Sequence, residues 1–181
     1  MSKIYTKYGD KGYTFTKFDP QTPKNHYIVN FLGELDELNS SLGLLSAQII
    51  NNDKLKESAL FLQEIMDVCF SLGAFVGYGT KIPENKFDEI VNKIETLIDI
   101  QEKENGKLKN FILPTGHVDS ALGHVCRSIC RRVERNIYNL ESKNSLKLPS
   151  VFLNRLGDYL FSLARTINKV NDCQEIIWEN K

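Results

Sequence analysis

The chain offers little with which to hold a metal. Its three histidines, His26, His117 and His124, are scattered over 181 residues, and no Glu-x-x-His pair is present, which excludes a ferritin-like dimetal centre. The four cysteines, Cys69, Cys126, Cys130 and Cys173, show no paired motif spacing. Cys126 and Cys130 lie one helical turn apart near His124, yet both fall on an apolar stripe, where free cysteine behaves as a small hydrophobe rather than a zinc ligand. The histidines read as surface or capping residues.

Excess charge is missing too. Lys plus Arg number 23 and Asp plus Glu also 23, so no general electrostatic pull toward nucleic acid or an anionic membrane is expected. Any anion site must be built locally. No apolar run approaches the roughly 20 residues that span a bilayer. The opening "MSKIYTKYGDKG" has no apolar signal-peptide stretch, so a soluble cytoplasmic protein with reduced thiols is expected. One domain over residues 1–181 accounts for the length, with 1–25 as a leading loop and 26–181 as a bundle.

What the sequence does carry is helical periodicity. Phe31, Leu35, Leu38, Leu42, Leu45 and Ile49 recur at intervals of three and four, the mark of one helix face turned to a core. A second stripe runs from about Asp53 through Leu60, Ile65, Val68, Leu72 and Phe75, and "GYGT" stops it. "PENKFDEIVNKIETLIDI" predicts a third helix opened by Pro83. Asp119 or Ser120 can cap a fourth, with the stripe Leu122, Val125, Ile129, Val133, Ile137 and Leu140. The fifth starts around Pro149 and carries Phe152, Leu156, Tyr159, Leu163, Ile167 and Val170. "ESKNSLKLPS" is short enough to connect the last two. No strand pattern competes, so the fold class is all-α: a five-helix antiparallel bundle behind about 25 irregular residues.

Two helix faces are odd for a surface. At about 100° per residue, Arg127, Arg131, Glu134 and Tyr138 fall together opposite the core stripe of the fourth helix. "CRSICRRVER" supplies Arg127, Arg131, Arg132 and Arg135 with no lysine, which suits multidentate recognition of phosphate oxygens better than a solvated face. The fifth helix sets Asn154, Asp158, Phe161 and Arg165 away from its core, and an aromatic there calls for a ligand or a second subunit. The front stretch "YTKYGDKGYTF" is no P-loop, since GxxxxGK[ST] is absent. Its glycine turn, with Lys7, Lys11 and threonine hydroxyls nearby, can still form a nest for an anion.

Five motifs in order, "YTKYGDKG", "LGELDELNSSLG", "FILPTG", "CRSICRRVER" and "FLNRLGDYLFSLAR", make the chain resemble the PduO-type ATP:cob(I)alamin adenosyltransferases over nearly its whole length. The closing "EIIWEN" is similar to that family's Trp-bearing end. The chain departs at Tyr8 and Tyr13, where the family often has smaller residues, and at Thr115, which replaces a usual glycine.

The resemblance implies transfer of the 5′-deoxyadenosyl group from ATP to the cobalt of cob(I)alamin, with Mg²⁺ bound through the phosphates rather than by side chains. It assigns Thr6, Lys7, Gly9, Asp10, Gly12, Thr14 and Lys24 to an ATP loop, with Tyr8, Lys11 and Phe15 in the same stretch. Arg131, Arg132, Glu134, Arg135 and Asn154 complete the nucleotide site, Glu134 either orienting arginines or touching the nucleoside. Asp36 pairs with Arg127, Phe111 lines the cobalamin side, and with Arg131 these are the residues closest to the chemistry; read from the residues alone, Phe111, followed by Ile112 and Leu113, serves equally as a core residue at the entrance to the fourth helix. Active sites lie between subunits of a homotrimer. A reductase would supply the electron, and an adenosylcobalamin-dependent enzyme would take the product.

Two rivals stand beside this. A non-catalytic, ATP-responsive cobalamin carrier would bind nucleotide tightly without turnover. A helical interaction module docking an acidic partner on its arginines would bind no nucleotide at all.

Overall fold

A computed structural model describes residues 4–83, 85–140 and 146–179. Five helices carry the fold: α1 (Tyr27–Ile49), α2 (Lys56–Tyr78), α3 (Asn85–Asn105), α4 (Val118–Ile137) and α5 (Lys147–Val170). The connection expected over 141–150 lies partly outside the described residues. Two helix starts use histidine caps, the capping role read for His26 and His117 from the sequence. His26 Nδ1 accepts from the Ile28 amide, and His117 Nδ1 accepts from the Asp119 amide at 3.3 Å, so the imidazole caps α4 in place of Asp119 or Ser120. Each satisfies a donor that a helix start leaves orphaned.

The helices pack in the order α2, α1, α4, α5, α3. All six residues of the expected α1 stripe are buried, with Leu38, Leu42 and Leu45 fully so. Burying one such leucine contributes about 1.5–3 kcal/mol. The other stripes need adjusting. In α2, Leu60 faces out, while Phe61 and Leu62 turn inward. In α4, Val125 is exposed and its place is taken by Cys126 and Cys130, which are fully buried. Burial pushes the Cys69 and Cys126 thiols up to about 12, so they are inert packing groups at neutral pH.

Contrary to the sequence expectation, α2 is long and apolar enough by composition to cross a bilayer. Its side toward α1, with Ile65 and Leu72, is packed in the bundle core, as in a core helix of a globular domain. Ser46 Oγ on α1 donates to Ala59 O of α2 at 2.9 Å, closing that seam.

The leading segment is not irregular. A 3₁₀ turn over Tyr8–Lys11 leads into strand β1 (Tyr13–Thr14), which pairs antiparallel with β2 (Thr22–Pro23). Buried Thr16 and Thr22 share a 2.7 Å hydroxyl contact inside this hairpin, and the Tyr8 hydroxyl donates to Pro20 O.

The loop before α4 is fixed by one buried amide. Asn168 of α5 accepts from the His117 amide at 2.9 Å and donates to Thr115 O at 3.0 Å. Gly116 lies between them at φ +122°, where a Cβ would stand 2.2 Å from Asn168 Oδ1. The left-handed conformation falls at Gly116 and not at Thr115, so the threonine departure needs no glycine. Gly116→Ala should therefore cost about 2 kcal/mol or more, whereas Thr115→Gly should change stability by less than about 1 kcal/mol. Urea unfolding midpoints check this, and equal midpoints for wild type and Gly116→Ala would refute the constraint.

Candidate functional site

Two adjoining hollows open beside α5. The first, about 700 Å³, is lined by Leu108, Phe111, Ile112, Phe161, Trp178 and Arg127. The chain end forms part of its wall. Cys173 N bonds back to Asn168 O, and Glu175 makes a 2.8 Å ion pair with the buried Arg165, which also donates to Gly106 O. Leu113 N then donates to Ile176 O and Trp178 N to Phe111 O, each at 2.8 Å. This strap holds Phe111 by its backbone and leaves its ring 80% exposed, edge-on to Trp178 at 6.5 Å. Phe111 is thus a presented aromatic and not a core residue.

The second hollow, about 460 Å³, is polar, and Arg127, Arg131, Arg155, Asp158 and Phe161 line it together with the acidic outer side of α3. Arg127 and Phe161 belong to both hollows, so the apolar and the basic chambers meet at these two side chains. The Arg127 guanidinium lies 5.8 Å from the Phe161 ring centre, and its buried Nε has no hydrogen-bond partner. Burial first, and the neighbouring charge of Arg131 second, pull the Arg127 pKa down, although a guanidinium stays charged. His124 also packs against Phe161, tilted at 5.8 Å, with both ring nitrogens unpartnered. Burial first, and the charge of Arg127 second, lower its pKa, against a smaller opposing effect of Glu175.

The residues singled out from the sequence divide into groups. Arg131 lines the basic hollow, and Arg135 lies exposed one turn beyond it. Glu134 accepts from Asn154 Nδ2 at 2.8 Å, so its partner is the amide on α5 and not a neighbouring arginine. Arg132 turns the other way, toward α1, where it pairs with Glu37 and lies 3.8 Å from Glu34. In one chain it ties α4 to α1 instead of facing the hollow.

Asp36 and Arg127 do not meet within one chain. Asp36 lines a groove of about 320 Å³ between α1 and α2, beside Leu32, Asn39, exposed Phe70 and Tyr78.

The front hairpin docks on the same end of α2. Lys17 Nζ donates to Phe75 O at 3.0 Å, Lys17 N to Gly77 O at 2.7 Å, and Phe15 stacks on Tyr78 at 6.3 Å. Within the hairpin Thr6, Lys7, Asp10, Lys11 and Lys24 are exposed, Thr14 is half-buried, and Gly12 takes φ +82°. The Lys24 ammonium lies over Gly9, where a Cβ would approach it to 2.9 Å. Lys7 also adopts a left-handed φ of 63°, a conformation that costs an L-residue energy.

Sequence reasoning left out Trp178 and Arg155 as lining residues and treated His124 as incidental. The adjacency of Arg155 to Asn154 was available as a signal. The strap that brings Trp178 over Phe111 links residues far apart in sequence and has no local mark.

Comparison with known proteins bears on these hollows. The family described as cobalamin adenosyltransferase matches residues 4–167. The chain is 34% identical to the corrinoid adenosyltransferase of Bacillus subtilis (strain 168), over 98% of this chain and 92% of that protein. It is 33% identical to the human corrinoid adenosyltransferase MMAB, over 98% of this chain and 74% of the relative. Among solved structures, a Phe-to-His variant of the PduO-type ATP:corrinoid adenosyltransferase from Lactobacillus reuteri, complexed with cobalamin and ATP, superposes with a TM-score of 0.83 at 30% identity, covering 98% of this chain and 97% of that one. An Arg-to-Lys variant of the Lactobacillus reuteri enzyme complexed with ATP gives 0.83 at 31% identity, covering 97% and 100%. With the family match running over residues 4–167 and relatives above 30% identical along nearly the whole chain, this chain belongs to the cobalamin adenosyltransferase family.

Proposed function

We propose that this chain is a transferase that moves the 5′-deoxyadenosyl group of ATP to the cobalt of cob(I)alamin, giving adenosylcobalamin and triphosphate. The observation that carries the reading is the continuity of a basic hollow with an apolar, aromatic one through Arg127 and Phe161. A polyanion and a large apolar ring system can then meet at one seam. An anaerobic assay with ATP and chemically reduced cobalamin tests it directly, and nucleotide binding without adenosylcobalamin formation would favour the carrier instead.

The substrate's Co(I) is itself the nucleophile. It attacks the ribose C5′, a cobalt–carbon bond forms, and the C5′–O bond breaks with its electron pair leaving on triphosphate. No general base is needed, so the protein's share is alignment and stabilisation of the charge growing on the leaving group. Arg131, Arg135 and Lys24 serve that purpose, and the glycine turn from Thr6 to Phe15 closes over the phosphates. Mg²⁺ would enter on phosphate oxygens and neutralise part of their charge, and the acidic residues lining the basic hollow, Asp158 among them, suit its water shell.

The front hairpin and the arginines sit apart in one chain, which supports an assembly in which a second copy completes the site. The α1–α2 groove offers Asp36 and exposed Phe70, while Arg127 carries an unpaired buried Nε. A contact of Asp36 with Arg127 across subunits would satisfy both, within a homotrimer. Light scattering should then give a mass of about three chains at working concentration, and a stable monomer would refute the assembly. A separate reductase would make Co(I), an adenosylcobalamin-dependent enzyme would receive the product, and the three buried free thiols suit the reducing cytoplasm.

Arg131→Ala removes a charge-assisted phosphate contact worth roughly 1.5–3 kcal/mol. Turnover should fall at least about tenfold with the helical circular dichroism unchanged, and normal activity would rule out the phosphate role. Phe111→Ala should leave stability nearly untouched, since the ring is exposed. It should keep ATP binding and work partly with pre-reduced cobalamin, but fail when the reaction starts from Co(II), because the ring's place below the corrin would exclude an axial ligand and so shift the cobalt potential. Equal loss in both assays would remove this role.

A further inference from the structure

The basic hollow contains an arginine that no phosphate role has claimed. Arg155 Nε donates to Glu95 Oε1 of α3 at 2.6 Å, and its Nη1 donates to Asn154 Oδ1 at 2.6 Å. Asn154 in turn donates through Nδ2 to Glu134 Oε1 of α4 at 2.8 Å. The four side chains form one line across three helices: carboxylate, guanidinium, amide, carboxylate. Each link fixes the next. The charge on Arg155 can bond only the amide oxygen, so the amide nitrogen must face Glu134, and Glu134 is held with its second oxygen free.

We propose that Arg155 is a positioning residue for the nucleoside half of ATP, acting through Asn154 and Glu134, with Glu95 as its anchor. This rests on the adenosyl-transfer reading above. The chemistry assigns the half of the ligand. A free carboxylate oxygen repels a phosphate but accepts from the ribose hydroxyls or the adenine amino group, so the end of the line at Glu134 faces a neutral donor and not the triphosphate. Arg131, on the same helix but without a place in this line, is left to the phosphates. Division of labour between neighbouring arginines follows: Arg131 bonds ligand, and Arg155 bonds protein.

The test uses the full-length protein under anaerobic conditions and reads three constants: KM for ATP, KM for cob(I)alamin, and the inhibition constant of inorganic tripolyphosphate. Arg155→Ala should raise KM for ATP roughly tenfold, the size of one charge-assisted bond lost from the line. KM for cobalamin and inhibition by tripolyphosphate should stay within about twofold, since neither contacts the nucleoside subsite. Arg155→Lys keeps the charge but cannot bond Glu95 and Asn154 in one plane, so it should resemble the alanine variant. Glu95→Gln, a surface change that leaves the bundle packed, should raise KM for ATP by about threefold and decides the matter should Arg155→Ala fail to fold.

A double-mutant cycle of Arg155→Ala with Asn154→Ala should be strongly non-additive. Additive effects, or unchanged KM for ATP in Glu95→Gln and Arg155→Lys, would overturn the positioning role. A parallel weakening of tripolyphosphate in Arg155→Ala would overturn it too, and make Arg155 a phosphate ligand. Wild-type protein that forms no adenosylcobalamin would instead refute the functional reading, which separates the two failures.

Discussion

The close antiparallel packing of α4 on α5 is the contact on which both hollows depend. It is made possible by small residues at the seam: a Cβ on Gly123 would stand 3.2 Å from Ala164 Cβ, and one on Gly157 3.7 Å from Arg131 Cγ. With the helix axes drawn together there, larger side chains at the margin are forced outward on one side. Arg127, Arg131, Phe161 and Asp158 line that margin and define a cleft. On the inner side the same seam buries Cys130, whose thiol donates to Leu153 O at 3.2 Å, and Ile129 and Val133 join the core. One interface therefore sets both the stability of the bundle and the spacing of its cationic groups.

Much of this was legible in the chain. Periodicity located five helices because apolar side chains three and four apart must share a face, and the differences were in caps, end residues and single stripe positions such as Leu60 and Val125. The arginine run was readable because four guanidinium groups within two and a half turns cannot all be neutral surface decoration. What did not show was direction within that run. Arg132 follows Arg131 by one residue, a rotation of about 100°, and this sends it to Glu34 and Glu37 on α1. The partner helix that claims it cannot be read from α4 alone.

The front segment illustrates a different limit. Its glycines and lysines announced a turn, but the hairpin is fastened by Lys17 to the end of α2 and by the Thr16 hydroxyl to Thr22, contacts with no periodic signature. Phe111 was ambiguous for the opposite reason. Flanked by Ile112 and Leu113, it reads equally as core or as a presented ring, and only the pairing of residues 111–113 with 176–178 decides in favour of presentation. Lining residues contributed by segments some sixty positions apart leave no trace in a local window.

That pairing also means the apolar chamber has less mechanical security than the bundle behind it. Glu175 to Trp178 cling to the domain through one ion pair, a few backbone bonds and the edge contact of Trp178 with Phe111, while the last fully buried apolar residue of α5 is Ile167. Such a flap can peel away at a small fraction of the free energy of global unfolding. Anything that wedges against Phe111 and Trp178 from inside the chamber will be felt as tension on Glu175 and, through Arg165, at the end of α3. The occupant of the chamber is in this sense also its last structural part, contributing adhesion that the polypeptide alone lacks.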